Sequence, residues 1–184
     1  MKTLSKEKSV TIVCFGDSNT YGFDPRSWFG SRYDADSRWP DILANKTGWN
    51  IYNLGEIGKE VPVRLPAIPV CDILIVMLGT NDLLQGRHAR EVSQRMEHFL
   101  TQIEGCQKIL LIAPPPLQHG EWVTSDALIQ ESQLLSALYR DLAKKLQIGF
   151  TDSGNWNIPL CFDGVHFTEQ GHQNFTAGLL SHLK

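Results

Sequence analysis

The sequence predicts an α/β fold in which one parallel β-sheet lies between two layers of helices. Short runs of β-branched and aliphatic residues recur along the chain, and segments with helical character separate them. Strands that alternate with helices form right-handed crossovers, which build a parallel sheet covered on both faces. We therefore expect a three-layer α/β/α sandwich. The length of 184 residues, without an internal repeat or linker, indicates a single domain over residues 1–184.

The predicted sheet has about five strands. Its strand candidates are residues 10–15, 50–54, 73–78 and 108–113, with 148–151 as a weaker fifth. The helix candidates are residues 38–46, 90–104, 126–146 and 168–183. Proline cannot sit in a central strand or continue a helix, so the run Pro114-Pro115-Pro116 ends the fourth strand, and a cis bond is one option there.

The composition excludes several classes of protein. With 42% hydrophobic and 20% charged residues, the chain has the composition of an ordinary globular protein. A formal net charge of -3 supplies no basic face for a nucleic-acid backbone, so we expect no nucleic-acid partner. The apolar runs are far shorter than the roughly 20 residues that cross a bilayer, which predicts no membrane span. The lysine-rich start precedes too short an apolar stretch for a signal peptide.

The spacing of the four cysteines indicates whether the chain forms disulfides or binds a metal ion. Cys14, Cys71, Cys106 and Cys161 form no CxxC pair and no zinc-type spacing. Reduced and mostly buried thiols are therefore expected. This pattern favours a cytoplasmic protein without a bound metal.

Small polar turns that contain glycine follow the first three predicted strands. They read Gly16-Asp17-Ser18-Asn19-Thr20, Gly55-Glu56-Ile57-Gly58 and Gly79-Thr80-Asn81-Asp82. Ligands of parallel α/β sheets bind beyond the carboxyl ends of the strands, so these turns should share one edge. Before the last helix, Asp163-Gly164-Val165-His166 adds a carboxylate and an imidazole.

Together these residues are the parts of an acyl-transfer site. Such a site needs a nucleophile, a base, a group that orients the base, and donors for the developing oxyanion. Ser18 can attack, His166 can take its proton, and Asp163 can hold the imidazole. A backbone N–H of the Ser18 turn, the N–H of Gly55 and the side-chain amide of Asn81 can form the oxyanion hole. Glycine suits this role because its backbone can approach a ligand closely.

These four blocks resemble, in chain order, the signature blocks of the GDSL/SGNH hydrolases, a family of serine esterases and lipases. They are spread over about four-fifths of the chain. The resemblance implies a flavodoxin-like fold in one SGNH hydrolase-like domain, and a triad of Ser18, Asp163 and His166. It also implies an oxyanion hole of Ser18, Gly55 and Asn81, with no cofactor. Where the family name has leucine, this chain has Asn19, at a position expected to do no chemistry.

A second, looser resemblance points to the bacterial arylesterase/acyltransferase branch of this family. It rests on the run from Phe15 to Gly22 and on Arg38-Trp39-Pro40. It implies a small-molecule acyl ester as substrate and a homo-oligomer as one option. The second block, Asn53-Leu54-Gly55-Glu56, departs from the Asn-Gly-Arg expected in that branch, so we carry over neither the transferase activity nor an oligomer size.

Other functions remain open. A non-catalytic flavodoxin-like binding module is disfavoured because the turn after the first strand has no Gly-rich phosphate cradle. An α/β-hydrolase is disfavoured because Ser18 does not lie in a G-x-S-x-G elbow. Within the GDSL family, a carbohydrate acetylesterase, a lysophospholipase and a thioesterase are alternatives. Asp17 is expected only to cap the first helix, and Asn81 alone could be a plain turn residue.

The sequence gives weaker indications about the roles of the other histidines and of the loop aromatics. The histidines that compete with His166 are His88, His98, His119, His172 and His182. We discount the first three and His182 for their place in helices or for want of a nearby carboxylate, and we expect His172 on the surface. The tryptophans Trp28, Trp39, Trp122 and Trp156 either line an acyl pocket or pack loops onto the core.

Overall fold

Five parallel strands form the single sheet of the structure, a computed structural model that describes residues 9–27, 29 and 31–183. The strands are β1 (Thr11–Gly16), β2 (Asn50–Gly55), β3 (Cys71–Met77), β4 (Cys106–Ala113) and β5 (Gly149–Asp152). They lie in the order β2-β1-β3-β4-β5, and each neighbouring pair is parallel. The predicted five-stranded parallel sheet is confirmed, and its strand order is flavodoxin-like.

Helices cover both faces of this sheet. They are α1 (Ser18–Tyr21), α2 (Trp39–Thr47), α3 (Thr80–Leu84), α4 (Ala89–Leu100), α5 (Asp126–Leu146) and α6 (Glu169–His182). Trp39 of α2 and Phe175 of α6 belong to the apolar core on one face. Phe99 of α4 and Tyr139 of α5 belong to the core on the other face. The three-layer sandwich is therefore confirmed.

The interior strand β1, which lies between β2 and β3, is buried on both sides. Val13 and Phe15 pack into the core under α4 and α5. Ile12 and Cys14, which alternate with them, pack into the core under α2 and α6. Side chains of a strand point alternately to the two faces of a sheet, so a continuous apolar run marks a strand covered on both faces. The residue that follows β1 is thereby fixed at the sheet edge between the ends of β2 and β3.

The four predicted helices begin and end within one residue of their predicted bounds, except at one end. The bounds of α5 are those predicted, whereas α4 ends at Leu100 instead of continuing to residue 104. After Leu100, the side chains of Thr101 and Gln102 both donate to the carbonyl of His98, at 3.0 and 2.8 Å. Such local side-chain bonds compete with the backbone bonds that would continue the helix.

All four cysteines are free thiols. Cys14 and Cys71 are buried, and Cys106 and Cys161 are partly exposed. Cys71 and Cys106 face each other on β3 and β4, and the Cys71 thiol donates to Cys106 Sγ at 3.0 Å. The expectation of reduced thiols therefore agrees with the geometry.

Two further expectations concern the prolines and the helices. The part of the chain that the structure describes contains no cis peptide bond, so the bonds of the run Pro114-Pro115-Pro116 are trans. No helix among the described residues is long and apolar enough to cross a membrane. The abrupt end of β4 at Ala113, directly before these prolines, is as predicted.

The prediction that His172 lies on the surface is wrong. Its side chain is fully buried, and its Nδ1 accepts a hydrogen bond from the Trp39 N–H at 3.4 Å. The ring of Tyr33 meets the imidazole edge-on, with 5.4 Å between centroids. Burial, together with the nearby His166 and Arg38, lowers the pKa of His172 to about 3. His172 is therefore a neutral core residue in the folded protein.

This burial should make stability depend on pH. The folded state leaves His172 unprotonated down to about pH 3, whereas an unfolded histidine titrates near about 6.5. Between these two pKa values the unfolded state binds more protons than the folded state. The contribution of His172 therefore lowers the free energy of unfolding as the pH falls, by at most about 1.4 kcal/mol per pH unit. Burial raises the pKa of Asp17 to about 6, which acts in the opposite direction between its unfolded value of 3.8 and pH 6.

A comparison with His172→Asn separates the two effects, because Asp17 is common to both proteins. Asparagine keeps a hydrogen-bond acceptor and does not titrate. We expect the free energy of unfolding of the wild type, relative to that of the variant, to decrease as the pH is lowered from about 6.5 to 4. Chemical denaturation at a series of pH values measures this difference. A difference that does not change with pH would contradict the burial of a neutral imidazole.

Candidate active site

The turns that were predicted to share one sheet edge do meet there. Ser18 begins α1 directly after β1, and Asn81 lies in α3 directly after β3. The register pairs Gly16 with Gly55 on one side and with Met77 on the other, so the three strands end at the same level. The loop between β5 and α6 brings residues 163–166 to this edge.

Three of the predicted site residues form a hydrogen-bonded chain. Ser18 Oγ lies 3.0 Å from His166 Nε2, and His166 Nδ1 lies 2.6 Å from Asp163 Oδ2. A neutral imidazole with its proton on Nδ1 donates to the carboxylate and accepts from the serine hydroxyl. All three side chains are buried to within a few per cent. The arrangement has the geometry of a nucleophile, a base and a group that orients the base.

Asp163 is held in its ionised form by the loop that carries it. Burial by itself raises the pKa of this carboxyl, but the hydrogen bond from the His166 side chain and those from two backbone N–H groups outweigh burial and leave the pKa below its usual value. The backbone donors belong to Val165 and His166, at 2.9 and 3.0 Å from Oδ1. One carboxylate therefore shapes the turn and orients the imidazole.

The turn at Ser18 is a tight strand-to-helix connection. Asp17 caps α1 as predicted, because its side chain accepts a hydrogen bond from the Asn19 N–H at 2.9 Å. Asp17 is fully buried in the structure, and burial raises its pKa to about 6. The N–H of Ser18 has no acceptor among the described residues. It is one of the first N–H groups of a helix, which are free to bind an anion.

The N–H of Gly55, which the sequence suggested as an oxyanion donor, has an acceptor within the protein. The Gly55 N–H already donates to Asn53 Oδ1 at 2.9 Å, so it is not free for a substrate oxygen. A side chain at this position would collide with the backbone of Tyr21 and Thr20 in α1. Asn53 also donates to the Thr20 carbonyl at 2.9 Å. Gly55 therefore allows α1 to pack closely on β2, and its N–H is bonded within the protein.

Asn81 lies against the turn that follows β2. Its Nδ2 donates to the Lys59 carbonyl at 3.1 Å, which uses one of the two amide protons. One residue earlier, Gly58 has a φ of 74°, and its N–H has no acceptor in the described part of the chain. A positive φ is accessible to glycine at little cost. Gly58 was not among the site residues predicted from the sequence, although a second glycine in the same turn was the available signal.

The segment after this turn is tied to α3 and α4 by a buried ion pair. The Asp82 carboxylate accepts from the Val61 N–H at 2.9 Å, and Arg95 donates to the Val61 carbonyl at 2.7 Å. Arg95 and Asp82 lie 3.4 Å apart. Burial raises the pKa of Asp82, against the effects of the Val61 N–H and Arg95. These contacts hold residues 59–61 beside Asn81.

Two aromatic rings flank the imidazole of His166. The ring of Phe23 lies 4.8 Å from it and that of Trp122 lies 5.2 Å from it, both edge-on. Trp122 is 54% exposed and therefore also faces solvent. Trp39 is instead a fully buried core residue, and Trp156 packs on Phe175. Of the four tryptophans considered from the sequence, Trp28 lies outside the described residues, and Trp122 contacts His166.

The competing histidines lie elsewhere, although two of them do have carboxylate partners. His88 Nδ1 lies 3.1 Å from Glu131, and His119 Nε2 lies 2.9 Å from Asp126. Glu131 is 43 residues from His88, and Asp126 is seven residues from His119. The sequence pattern therefore did not reveal these partners. Both imidazoles are mostly exposed. No group of three or more metal-ligating side chains occurs within the described residues.

A cavity of about 750 Å³ lies near the ends of β4 and β5, and its lining does not include Ser18, His166 or Asp163. The loop after β4 and the segment after β5 line it, with Leu117, Gln118, Asn157 and Pro159 among the lining residues. Gln118 also donates its backbone N–H to the Gly164 carbonyl at 3.1 Å, which joins this cavity wall to the loop of Asp163 and His166.

Comparison with known proteins identifies the family. The sequence profile of the GDSL-like Lipase/Acylhydrolase family matches residues 14–173. Among curated proteins, none matches the sequence. Solved structures do: a proposed arylesterase from Agrobacterium tumefaciens str. C58 is 28% identical, with a TM-score of 0.81 over 95% of this chain and 98% of that one.

Two other solved structures are similar. The aryl esterase of M. smegmatis is 25% identical, with a TM-score of 0.82 over 95% of this chain and 98% of that one. A carbohydrate acetylesterase family member from Sinorhizobium meliloti shares the fold, with 24% identity and a TM-score of 0.80 over 95% and 97% of the two chains. The chain belongs to the GDSL-like lipase/acylhydrolase family, a family of esterases and hydrolases.

Proposed function

We propose that this protein is a serine hydrolase that cleaves small carboxylic esters through an acyl-enzyme intermediate. The observation that carries the proposal is the hydrogen-bonded chain from Ser18 Oγ through His166 to Asp163. Membership of an acylhydrolase family supports the same reaction class. No step of this reaction needs a cofactor or a metal ion.

The residues divide the reaction into two half-reactions. Ser18 Oγ attacks the ester carbonyl carbon while His166 Nε2 takes the serine proton. The bond to the leaving alcohol then breaks, and His166 donates that proton to the alcohol oxygen. Water next attacks the acyl group on Ser18, with His166 as base, and the acid leaves as the proton returns to Ser18. Asp163 stabilises the imidazolium at each stage without being protonated.

Three donors are proposed to stabilise the tetrahedral oxyanion. They are the free N–H of Ser18, the second amide proton of Asn81 and the free N–H of Gly58. The contact between Asn81 and the Lys59 carbonyl supports this set, because it brings the Gly58 turn beside the Asn81 amide. Gly58 replaces Gly55, whose N–H is occupied by Asn53. Donors fixed before the substrate arrives stabilise developing charge efficiently.

The surroundings of His166 favour a small acyl group and an aryl or alkyl leaving group. Phe23 and Trp122 flank the imidazole that accepts from the Ser18 hydroxyl, so a substrate bound at Ser18 would meet apolar rings close to the base. The name of the M. smegmatis protein, an aryl esterase, supports aryl esters as the first substrates to examine. Apolar rings at the rim of a site bind such leaving groups well.

Hydrolysis of p-nitrophenyl esters with increasing acyl length tests the proposal. We expect turnover of the acetate and a decline with longer chains, and no turnover above background with Ser18→Ala. The panel should include an acetylated sugar and a thioester, because the same chemistry accepts them. An absorbance spectrum of the purified protein checks for bound flavin. Absence of Ser18-dependent hydrolysis across the panel would overturn the esterase proposal.

A further inference from the structure

The side chain of Asn19 connects the turn of the nucleophile to the loop of the base. It is 4% exposed. Its Nδ2 donates to the Val165 carbonyl at 3.1 Å, and its Oδ1 accepts from the Phe167 N–H at 2.9 Å. These two backbone groups belong to the residues on either side of His166. The Asn19 side-chain amide is therefore hydrogen-bonded to the main chain immediately before and after His166, the proposed base.

The orientation of this amide follows from its partners. A backbone carbonyl can only accept, and a backbone N–H can only donate, so the oxygen of Asn19 must face Phe167 and its nitrogen must face Val165. The Asn19 backbone is held as well, since its N–H donates to Asp17 Oδ1 at 2.9 Å. Both ends of the connection are thus fixed.

The hydrogen bonds of Asn19 join the loop of His166 to α1, which the hydrogen bonds of Asp163 do not do. The backbone bonds of Asp163 to Val165 and His166 shape the loop internally, over two and three residues. The bonds of Asn19 span 146 and 148 residues and join the loop to α1, in which Ser18 is the preceding residue. The distance from Ser18 Oγ to His166 Nε2 is set between these same two segments.

We propose that Asn19 is a positioning residue that holds His166 in register with Ser18. This inference rests on the proposed hydrolase function. Asn19 does not touch the reacting atoms; it acts through the backbone of the catalytic loop. Leucine at this position has a similar volume but neither hydrogen bond, so it would leave the Val165 carbonyl and the Phe167 N–H buried without Asn19 as their partner.

Steady-state kinetics of Asn19→Leu and Asn19→Ala test this role. We expect kcat for p-nitrophenyl acetate to fall by roughly 10- to 100-fold, as for a misplaced catalytic group, with KM changed less than about threefold. Thr176→Val is the matched control, because it removes a buried hydroxyl that bonds to the His172 carbonyl at 2.9 Å, away from the triad. It should keep the parent kcat.

The decisive measurement repeats Asn19→Leu in a His166→Ala background. A residue that acts only through His166 has nothing left to position there, so the second loss should be less than about twofold. Equal losses in both backgrounds would overturn the proposal and assign Asn19 to the general stability of the site. An unchanged kcat for Asn19→Leu would overturn it as well.

Reaction of Ser18 with a fluorophosphonate probe gives a readout that does not depend on the choice of ester. We expect the labelling rate to fall in Asn19→Leu and in His166→Ala, and to be unchanged in Thr176→Val. A wild-type protein that neither hydrolyses esters nor reacts with the probe would overturn the hydrolase function and the positioning role together. A reactive wild type with a fully reactive Asn19→Leu would overturn the positioning role alone.

Discussion

Replacing Ser18 with alanine is expected to lower kcat for ester hydrolysis by at least about 10⁴-fold while the fold persists. The substitution removes the attacking oxygen and a single hydrogen bond, that from Oγ to His166 Nε2 at 3.0 Å. Alanine fits the first turn of α1, and Asp17 still caps it. The circular dichroism spectrum and the melting temperature should therefore remain close to those of the parent. The rate of ester hydrolysis should fall to the background rate measured without enzyme.

The double variant Ser18→Ala/His166→Ala should be scarcely slower than either single variant. The three groups act as one unit, so removal of a second member has little left to disable. Ser153→Ala is a matched control, because this fully buried serine donates to the Ala113 carbonyl at 2.7 Å at the ends of β4 and β5, two strands that do not neighbour β1. It should retain activity. Losses that multiply in the double variant would contradict a shared triad.

Replacing Asn81 with alanine should lower kcat by roughly 10²–10³-fold and leave KM nearly unchanged. The proposed hydrogen bond strengthens as the carbonyl oxygen becomes an oxyanion, so its loss affects the transition state more than the bound substrate. If Asn81 were only a turn residue, the change would lower the melting temperature and alter kcat little. Kinetic constants and melting temperatures of one variant thus separate the two roles.

The charge of the side chain at this position gives a second comparison. Asn81→Asp should be at least as damaging as Asn81→Ala, because a carboxylate has no donor and places negative charge beside the oxyanion. Asn174→Ala is the control. Asn174 lies in α6, and its side-chain amide donates to the Asn157 carbonyl at 2.6 Å. If Asn81→Ala keeps more than half of the parent kcat, the hole rests on the N–H groups of Ser18 and Gly58 alone.

Features that depend on local pattern and on topology could be predicted from the sequence. Runs of β-branched and aliphatic residues predicted all five strands. They are clearest in β1 and β3, because a strand covered on both faces has no polar alternation. Since parallel strands end at one edge, the turns at Ser18 and Asn81 could be placed together from the strand positions alone. The pair Asp163 and His166 followed from its spacing and position before the last helix.

Features that depend on tertiary contacts could not be predicted in this way. His172 was predicted to lie on the surface, but its burial is decided by contacts with Trp39 and Tyr33, which approach from distant parts of the chain. The N–H of Gly55 looked free because a sequence does not show which acceptor lies opposite. The short helices α1 and α3 contain too few residues for a helical period to be visible.

The two hydrogen bonds of the Val61 backbone should make local opening of the loop after β2 costly in free energy. Ordinary loops open locally at almost no cost in free energy. Opening here would release both backbone groups of Val61 and leave the Asp82 and Arg95 pair without these partners. The Gly58 turn therefore needs little reorganisation as charge develops on a substrate. Changes of substrate preference are better sought at Phe23 and Trp122, whose rings can be replaced without moving this backbone.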